Sequence, residues 1–277
     1  MNKLEFSGNR VFIRSTIDKQ LLNELQNYEH SIEYIHFFNY EPNVSDLKVL
    51  NEYFKINKKV VLRCVEKGYL EYLPDLENIE YLKFDSSQFD ELKFLKKLNS
   101  LDFRRLYEKL DLTPILEYKD TLTGIAFEGD LVKNGENVIS QLTNLKKVTF
   151  ISSKFNSFEF LSNINLETFR YYGSRTTNYE HIKNIKSLKN FWLKTNTKWE
   201  DFDFLSELEN LETIELHYVS SIKKFPNCSN LKKLKKVIAF DCNKLADIEE
   251  LKKLNCYVHA YGKMIPNKFY TKDDENE

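Results

Sequence analysis

Glycine and proline are scarce in this chain, 7 and 5 of 277 residues. Flexible linkers and phosphate-cradling loops need more than this, and Gly124, Gly129 and Gly135 fit neither GxGxxG nor a P-loop. Cysteine is sparse as well. Cys64, Cys228, Cys242 and Cys256 lie far apart without a CxxC pair, which argues against a zinc ribbon or a disulfide framework. Free thiols in a reducing cytoplasm are the expectation. Neither sign of charge dominates: 41 Lys and Arg against 42 Asp and Glu leave −1, so no global field draws in nucleic acid or an anionic membrane. No apolar run reaches membrane-spanning length, and Met1 to Arg10 carries no apolar stretch of a secretory signal. His30, His36, His181, His217 and His259 are scattered without HExxH or other metal-ligand spacing, so neither a metal nor a cofactor is expected.

What the chain does have is aromatic residues, 21 Phe and 16 Tyr, and a period. From Leu76 it reads Leu76, Ile79, Leu82, Phe84, Ser87, Phe89, Leu92, Leu95, Leu98. The same frame returns as Leu142, Leu145, Val148, Phe150, Ser153, Phe155, Phe158, Leu161, and again as Ile185, Leu188, Phe191, Leu193, Asn196, Trp199, Phe202, Leu205. The apolar residue at each strand centre serves as a marker: Ile35, Val60, Leu82, Leu101, Ile125, Val148, Phe169, Phe191, Ile214, Val237 and Tyr257. The spacings run from 19 to 25 residues and average about 22.

The pattern has a physical meaning. Two apolar residues two apart lie on one face of a short strand, and their neighbours point to the other face. Apolar residues spaced by three then return the chain on a helix-like path. A single unit of this kind cannot bury its apolar face, whereas stacked units close a continuous core. Three residues after the second apolar strand position, the chain turns inward and needs a small polar side chain for buried backbone groups. Ser87, Ser153, Ser174, Asn196 and Cys242 stand there, with Leu106 and Val219 as exceptions.

On these residues the chain resembles the leucine-rich-repeat family, in the subclass of about 22 residues per repeat found in phosphatase-regulator and internalin-like proteins, and in particular a bacterial-type stand-alone solenoid. The resemblance covers residues 31 to 262, or about 10–11 repeats. Phe, Tyr, Ile and Val often replace Leu, and Ser or Cys replaces the consensus Asn. It implies an α/β repeat solenoid: a curved horseshoe with a parallel β-sheet on its concave face and helical, 3-10 or irregular segments on its convex face. It also implies protein recognition on the concave sheet.

Such a stack needs closed ends. Leu4-x-Phe6 and Val11-Phe12-Ile13, joined by Ser7-Gly8-Asn9, read as a hairpin. A helix carrying Leu21, Leu22 and Leu25 follows, with Ser15 or Thr16 expected as its cap, and Ser45 is expected to open the next helix. Residues 1–30 are thus an N-terminal hairpin-helix cap, and 263–277 a polar acidic tail of disordered composition.

The frame places three outward residues on each strand. It predicts one patch of Tyr172, Trp192, His217, Ile238 and Phe240 edged by Arg170, Lys194 and Glu215, a composition typical of binding hot spots. Tyr34, His36 and Phe38 form a second aromatic group near the N-terminus. Three other chemistries fit the residues less well. His217 with Glu215 suits a contact surface better than acid–base catalysis. Asp85 and Asp102, flanked by Lys83 and Arg104, suit an ion-pair lattice better than a cation site. Lysine pairs at 96–97, 146–147, 232–233, 235–236 and 252–253 could align as a rim for nucleic acid, but lysine is the usual filler at exposed turns. The sequence therefore points to a non-enzymatic, cytoplasmic, monomeric scaffold for a protein partner, with an inhibitor or immunity-type protein as its more specific form, and not to small-molecule substrates or membranes. A regulatory or targeting subunit of an enzyme, or a nucleic-acid binder, is the alternative.

Overall fold

The computed structural model describes residues 3–28, 31–38, 40, 42–64, 78–84, 97, 99–103, 111–130 and 134–261. Ser87, Leu106, Asp85, Arg104, His30 and the tail 263–277 lie outside them. The chain divides into two compact units, Met1–Phe127 and Glu128–Glu277.

The first unit opens with an antiparallel hairpin, β1 (Leu4–Ser7) and β2 (Arg10–Ile13), whose turn holds Gly8 at φ +58. From β2 onward each strand is parallel to the next: β3 (Tyr34–Phe37), β4 (Val61–Cys64), β5 (Tyr81–Phe84), β6 (Ser100–Phe103) and β7 (Gly124–Glu128). Helix α1 (Lys19–Gln26) connects β2 to β3, and α2 (Val44–Ile56) connects β3 to β4. A 3-10 turn, Thr113–Tyr118, precedes β7.

The helix caps differ from those expected. Asp18, not Ser15 or Thr16, caps α1 by accepting from Leu21 N at 2.8 Å. Asn43, not Ser45, caps α2 in a reciprocal box with Asp46: Asn43 Oδ1 accepts from Asp46 N (3.0 Å), and Asp46 Oδ2 accepts from Asn43 N (2.9 Å). The reason is spacing, since a side chain reaches the backbone N–H three residues on, and Asn43-x-x-Asp46 supplies both partners at that distance. Asp46 is fully buried, and its Oδ1 also accepts from Ile17 N at 2.7 Å, which ties α2 to the loop before α1.

In the second unit α3 (Gly135–Gln141) is followed by β8 (Lys147–Ile151), β9 (Thr168–Tyr172), β10 (Asn190–Lys194), β11 (Thr213–His217), β12 (Lys236–Phe240) and β13 (Tyr257–Tyr261), with each strand from β9 to β13 parallel to the one before it. Short 3-10 segments, Glu159–Leu161, Glu180–Asn184 and Asp203–Glu207, and then α4 (Glu249–Lys252), return the chain between strands. The core lies between strands and return segments. Val148, Phe169, Phe191, Ile214, Val237 and Val258 form one fully buried row, in register from strand to strand.

Two markers move. Leu62, not Val60, pairs with Ile35 and Leu82, so the first spacings are 27 and 20. Val258, not Tyr257, pairs with Val237. An error of two keeps a residue on the same face, but an error of one exchanges the faces. Tyr257, His259 and Tyr261 therefore leave the core and join the outward side.

Strands β8 to β12 all turn at their exits in the same way. Ser152, Gly173, Thr195, Tyr218 and Asp241 have φ of 53, 132, 56, 56 and 50. Each donates its N–H to the last carbonyl of the next strand: Tyr172, Lys194, His217, Phe240 and Tyr261, at 2.7–2.9 Å. The left-handed conformation aims the amide sideways at its neighbour, extending each ladder by one bond.

Beneath the turns sits a polar seam. Asn196, fully buried, donates Nδ2 to Gly173 O (2.7 Å) and accepts at Oδ1 from Trp199 N (2.8 Å) and Lys198 N (3.0 Å). Ser153 and Cys242 are buried in the same column, as the frame predicts, but Ser174 is only half-buried. Its work is done by Tyr171, whose hydroxyl donates to Ser153 O (3.0 Å) and accepts from Thr176 N (2.9 Å). Burial pushes the Cys228 thiol up to about 12 and the Cys242 thiol up to about 11, which suits inert core thiols.

Candidate functional site

The outward side chains of β8 to β13 form three rows. The first is Lys147, Thr168, Asn190, Thr213, Lys236 and Tyr257; the second Thr149, Arg170, Trp192, Glu215, Ile238 and His259; the third Ile151, Tyr172, Lys194, His217, Phe240 and Tyr261. Strict parallel register creates the rows, because each repeat adds one residue to each at about 4.8 Å spacing.

Trp192 anchors the face. It meets Tyr172 edge-on (centroids 4.9 Å apart) and His217 edge-on (5.7 Å), while the Arg170 guanidinium lies 4.7 Å above its ring. The chain of rings continues through His217–Phe240 (6.0 Å) to Phe240–Tyr261, stacked at 5.8 Å. Tyr218, at the exit turn, packs edge-on to Phe240 (5.4 Å) and is 45% exposed. Lys194 Nζ lies 5.9 Å from the rings of both Tyr172 and Tyr218. Ile238 sits between Glu215 and His259 in the middle row, half-buried. All eight residues singled out from the sequence thus share one face. Tyr218, Tyr261 and His259 were missed; the two-residue spacing of Val258 and Ala260, the true inward pair, is the signal that would have found the last two.

The polar part of the face is ordered by hydrogen bonds. Glu215 Oε1 accepts from Lys236 Nζ at 3.0 Å, and its Oε2 lies 3.3 Å from His217 Nε2. Burial alone would raise the Glu215 carboxyl, but these two partners outweigh it and hold the group below its ordinary value. Thr213 Oγ1 donates to Asn190 Oδ1 (2.8 Å), and Asn190 Nδ2 donates to Thr168 Oγ1 (3.3 Å). These side chains line a shallow groove of about 420 Å³, with Lys147, Arg170 and Lys236 around it and Trp192 within it. The Trp192 indole N–H is buried without an acceptor, a state that costs about 1–3 kcal/mol.

The lysine rim is neutralised only in part: Lys146, Lys232 and Lys233 reach neutral oxygens of Asn165, Ser229 and Asn210, whereas others, and the nearby Lys189, meet carboxylates. Lys189 pairs with Glu167 (2.9 Å), Lys235 with Glu212 (2.6 Å), Lys252 with Glu249 (2.7 Å) and Lys253 with Glu250 (2.8 Å). Among the described residues no group of three or more His, Cys, Asp or Glu side chains is placed to hold a metal, and no helix is long and apolar enough to cross a membrane.

The second aromatic group, in the first unit, is also real as geometry. Phe12 lies 5.0 Å from His36 and 6.1 Å from Phe38, Tyr34 lies 6.2 Å from His36, and the Arg14 guanidinium sits 4.3 Å over Phe38. His36 itself is buried, leaving Phe38, 42% exposed, as the open end of the group.

No family model matches the sequence, and no curated protein matches it. Among solved structures the chain is similar to TLR13 in its complex with ssRNA13, at 14% identity and a TM-score of 0.53, over 93% of this chain and 42% of that one. It is also similar to the internalin InlF of Listeria monocytogenes, at 15% identity and a TM-score of 0.49, over 92% of this chain and 87% of that one. Internalin C2 of the same organism matches at 20% identity and a TM-score of 0.47, over 68% of this chain and 83% of that one. With one parallel strand per repeat of about 22 residues, a helical or 3-10 return, and the TLR13 likeness, the fold is that of the leucine-rich-repeat solenoids.

Proposed function

We propose that this protein is a non-enzymatic recognition scaffold, and that it binds a protein partner through the outward face of β8 to β13. One observation carries the reading: an aromatic run from Tyr172 through Trp192, His217 and Phe240 to Tyr261 lies on an open sheet face, bordered by Arg170, Lys194 and Glu215. Clustered aromatic and arginine side chains on a rigid surface are the composition that supplies binding energy in protein interfaces. The sheet holds them in place, so little conformational freedom is lost on association.

A sequestering role, as an inhibitor or immunity-type protein would have, is the more specific form of this reading. The free thiols of Cys228, Cys242 and Cys256 favour a reducing, cytoplasmic setting for it. The repeats are read as residues 31–262, closed by the cap at 1–30. Nucleic-acid binding is the second reading, favoured by the excess of cations around the groove and by the RNA that the TLR13 structure holds. The pairing of four rim lysines, Lys235, Lys236, Lys252 and Lys253, with carboxylates weighs against it.

A pull-down from the source cells, with Trp192→Ala/Tyr172→Ala beside the unaltered chain, tests the main reading. Loss of one defined protein from the variant's eluate is expected, with unchanged circular dichroism. Equal recovery of every captured protein by both forms would refute the assigned face.

A further inference from the structure

The groove at the top of this face has a one-sided chemistry. The outward residues of β8 to β12 include four cations, Lys147, Arg170, Lys194 and Lys236, and one carboxylate, Glu215. The whole chain, by contrast, has a net charge of −1. Glu215 is already engaged by Lys236 and His217. Arg170 and Lys194 have aromatic rings as their neighbours, and among the described residues neither meets a carboxylate.

The neutral groups have the same bias. Asn190 spends its carbonyl on Thr213 and an amide hydrogen on Thr168, which leaves the Thr168 hydroxyl with its own hydrogen to give. The buried Trp192 N–H has no acceptor. Around the groove, then, the unspent groups are donors: a guanidinium fork, a hydroxyl and an indole N–H. Their complement is a group that only accepts, and a carboxylate matches the planar fork of Arg170 in two-pronged fashion. One row further along each strand, about 7 Å away, lies the aromatic shelf of Tyr172, His217 and Phe240. An extended peptide repeats its side chains on one face at that same distance.

We propose that the groove is a carboxylate-anchoring subsite: it takes an Asp or Glu side chain from an extended segment of the partner, while an apolar side chain two residues away lies on the aromatic shelf. This rests on the recognition face proposed above and adds the partner's chemistry to it. The ionic partner is a peptide rather than a nucleic-acid backbone because Glu215 stands among the cations, where a run of phosphates would meet it at each crossing, and because the shelf asks for an apolar neighbour.

Trp192 provides the readout, since Trp199, the other tryptophan, is sealed between Tyr171 and Tyr179 and serves as an internal reference. The full chain is titrated at low salt with a Trp-free octapeptide alternating Glu and Leu through serine spacers, with its Gln counterpart, and with a uridine octanucleotide. The Glu peptide is expected to shift Trp192 emission at least roughly tenfold more tightly than the Gln peptide, and Arg170→Gln to abolish that difference without altering the Gln titration. Equal affinity for the two peptides, no response to either, or tighter binding of the uridine oligomer at Trp192 each overturns the subsite. The two proposals separate cleanly. If partner capture depends on Trp192 and Tyr172 but Arg170→Gln leaves the Glu titration unchanged, the subsite fails and the face stands; if capture ignores Trp192 and Tyr172, the face itself fails.

Discussion

At the scale of single residues, the seam below the strand exits shows what a side chain must do to sit in this core. Asn196 serves one carbonyl and two amides that no backbone partner reaches. Trp199 beside it is fully buried, stacked on Tyr171 and Tyr179, and spends its indole N–H on Thr176 O at 2.7 Å. Asn196→Ala should therefore cost about 2–3 kcal/mol, since three backbone groups lose their partner in a place water does not fill. Urea unfolding measures it, and a loss under about 0.5 kcal/mol would mean that the seam is not closed. The column containing Asn196 was legible in the sequence because a small polar residue recurs at one offset. Ser174 shows the limit. Its repeat uses the hydroxyl of a bulky inward residue, Tyr171, for the same task, and residue type at one position does not reveal such a substitution.

At the scale of elements, the strand exit is the device repeated from β8 to β12, and four of those five exits bear strain there. Thr195 is β-branched at φ 56, where such residues are rarely found, while Gly173 holds the equivalent place at φ 132 without a side chain. The two positions predict opposite responses. Thr195→Gly should be neutral or stabilising by up to about 1 kcal/mol, as relief of the left-handed strain offsets the added freedom of the unfolded chain. Gly173→Val should destabilise by about 1–2 kcal/mol, although no atom lies nearer than 3.6 Å to an added Cβ. Thermal midpoints of the two variants give the test, and a common sign would contradict it. Helix boundaries were less legible than strands. Both caps lie within three residues of a Ser or Thr, and only the Asn43-x-x-Asp46 spacing, read as a pair, separates the true cap from its neighbours.

Across the whole molecule, ionisable groups set a pH window. Asp18 is held below its ordinary value by the Leu21 N–H and Lys3, Glu212 by Lys235, and Glu215 by Lys236 and His217 against its burial. Each binds its proton less tightly folded than unfolded. Their stabilisation is thus complete above the ordinary values of 3.8 and 4.5 and is lost as pH falls through the lowered ones. The thiols act at the other end. From 9.0, burial raises Cys228 to about 12 and Cys242 to about 11, so unfolded thiols ionise first and stability declines as pH rises above 9. Urea midpoints should be flat between about pH 5 and pH 8 and fall on both sides, and Glu215→Gln should shallow the acid limb. An acid limb unchanged by that substitution would show that the Lys236–Glu215–His217 set does not hold together in solution.

The repeat itself was determined by the sequence alone. Leu142 to Cys242 states the period, the inward pair of each strand and the outward residues beside it, because burial on one face of a two-residue alternation leaves a one-dimensional trace. That Tyr172, Trp192, His217 and Phe240 share a face follows from the same arithmetic. Register at the weaker repeats was decided only in three dimensions. At Val60 and Tyr257 several apolar residues stand side by side, and the choice among them belongs to the neighbouring strand, which pairs Leu62 with Ile35 and Val258 with Val237. The groove, the unspent donors around it and the pairing of Glu215 with Lys236 arise between residues more than twenty positions apart, and contact at that separation comes from the stacking of repeats.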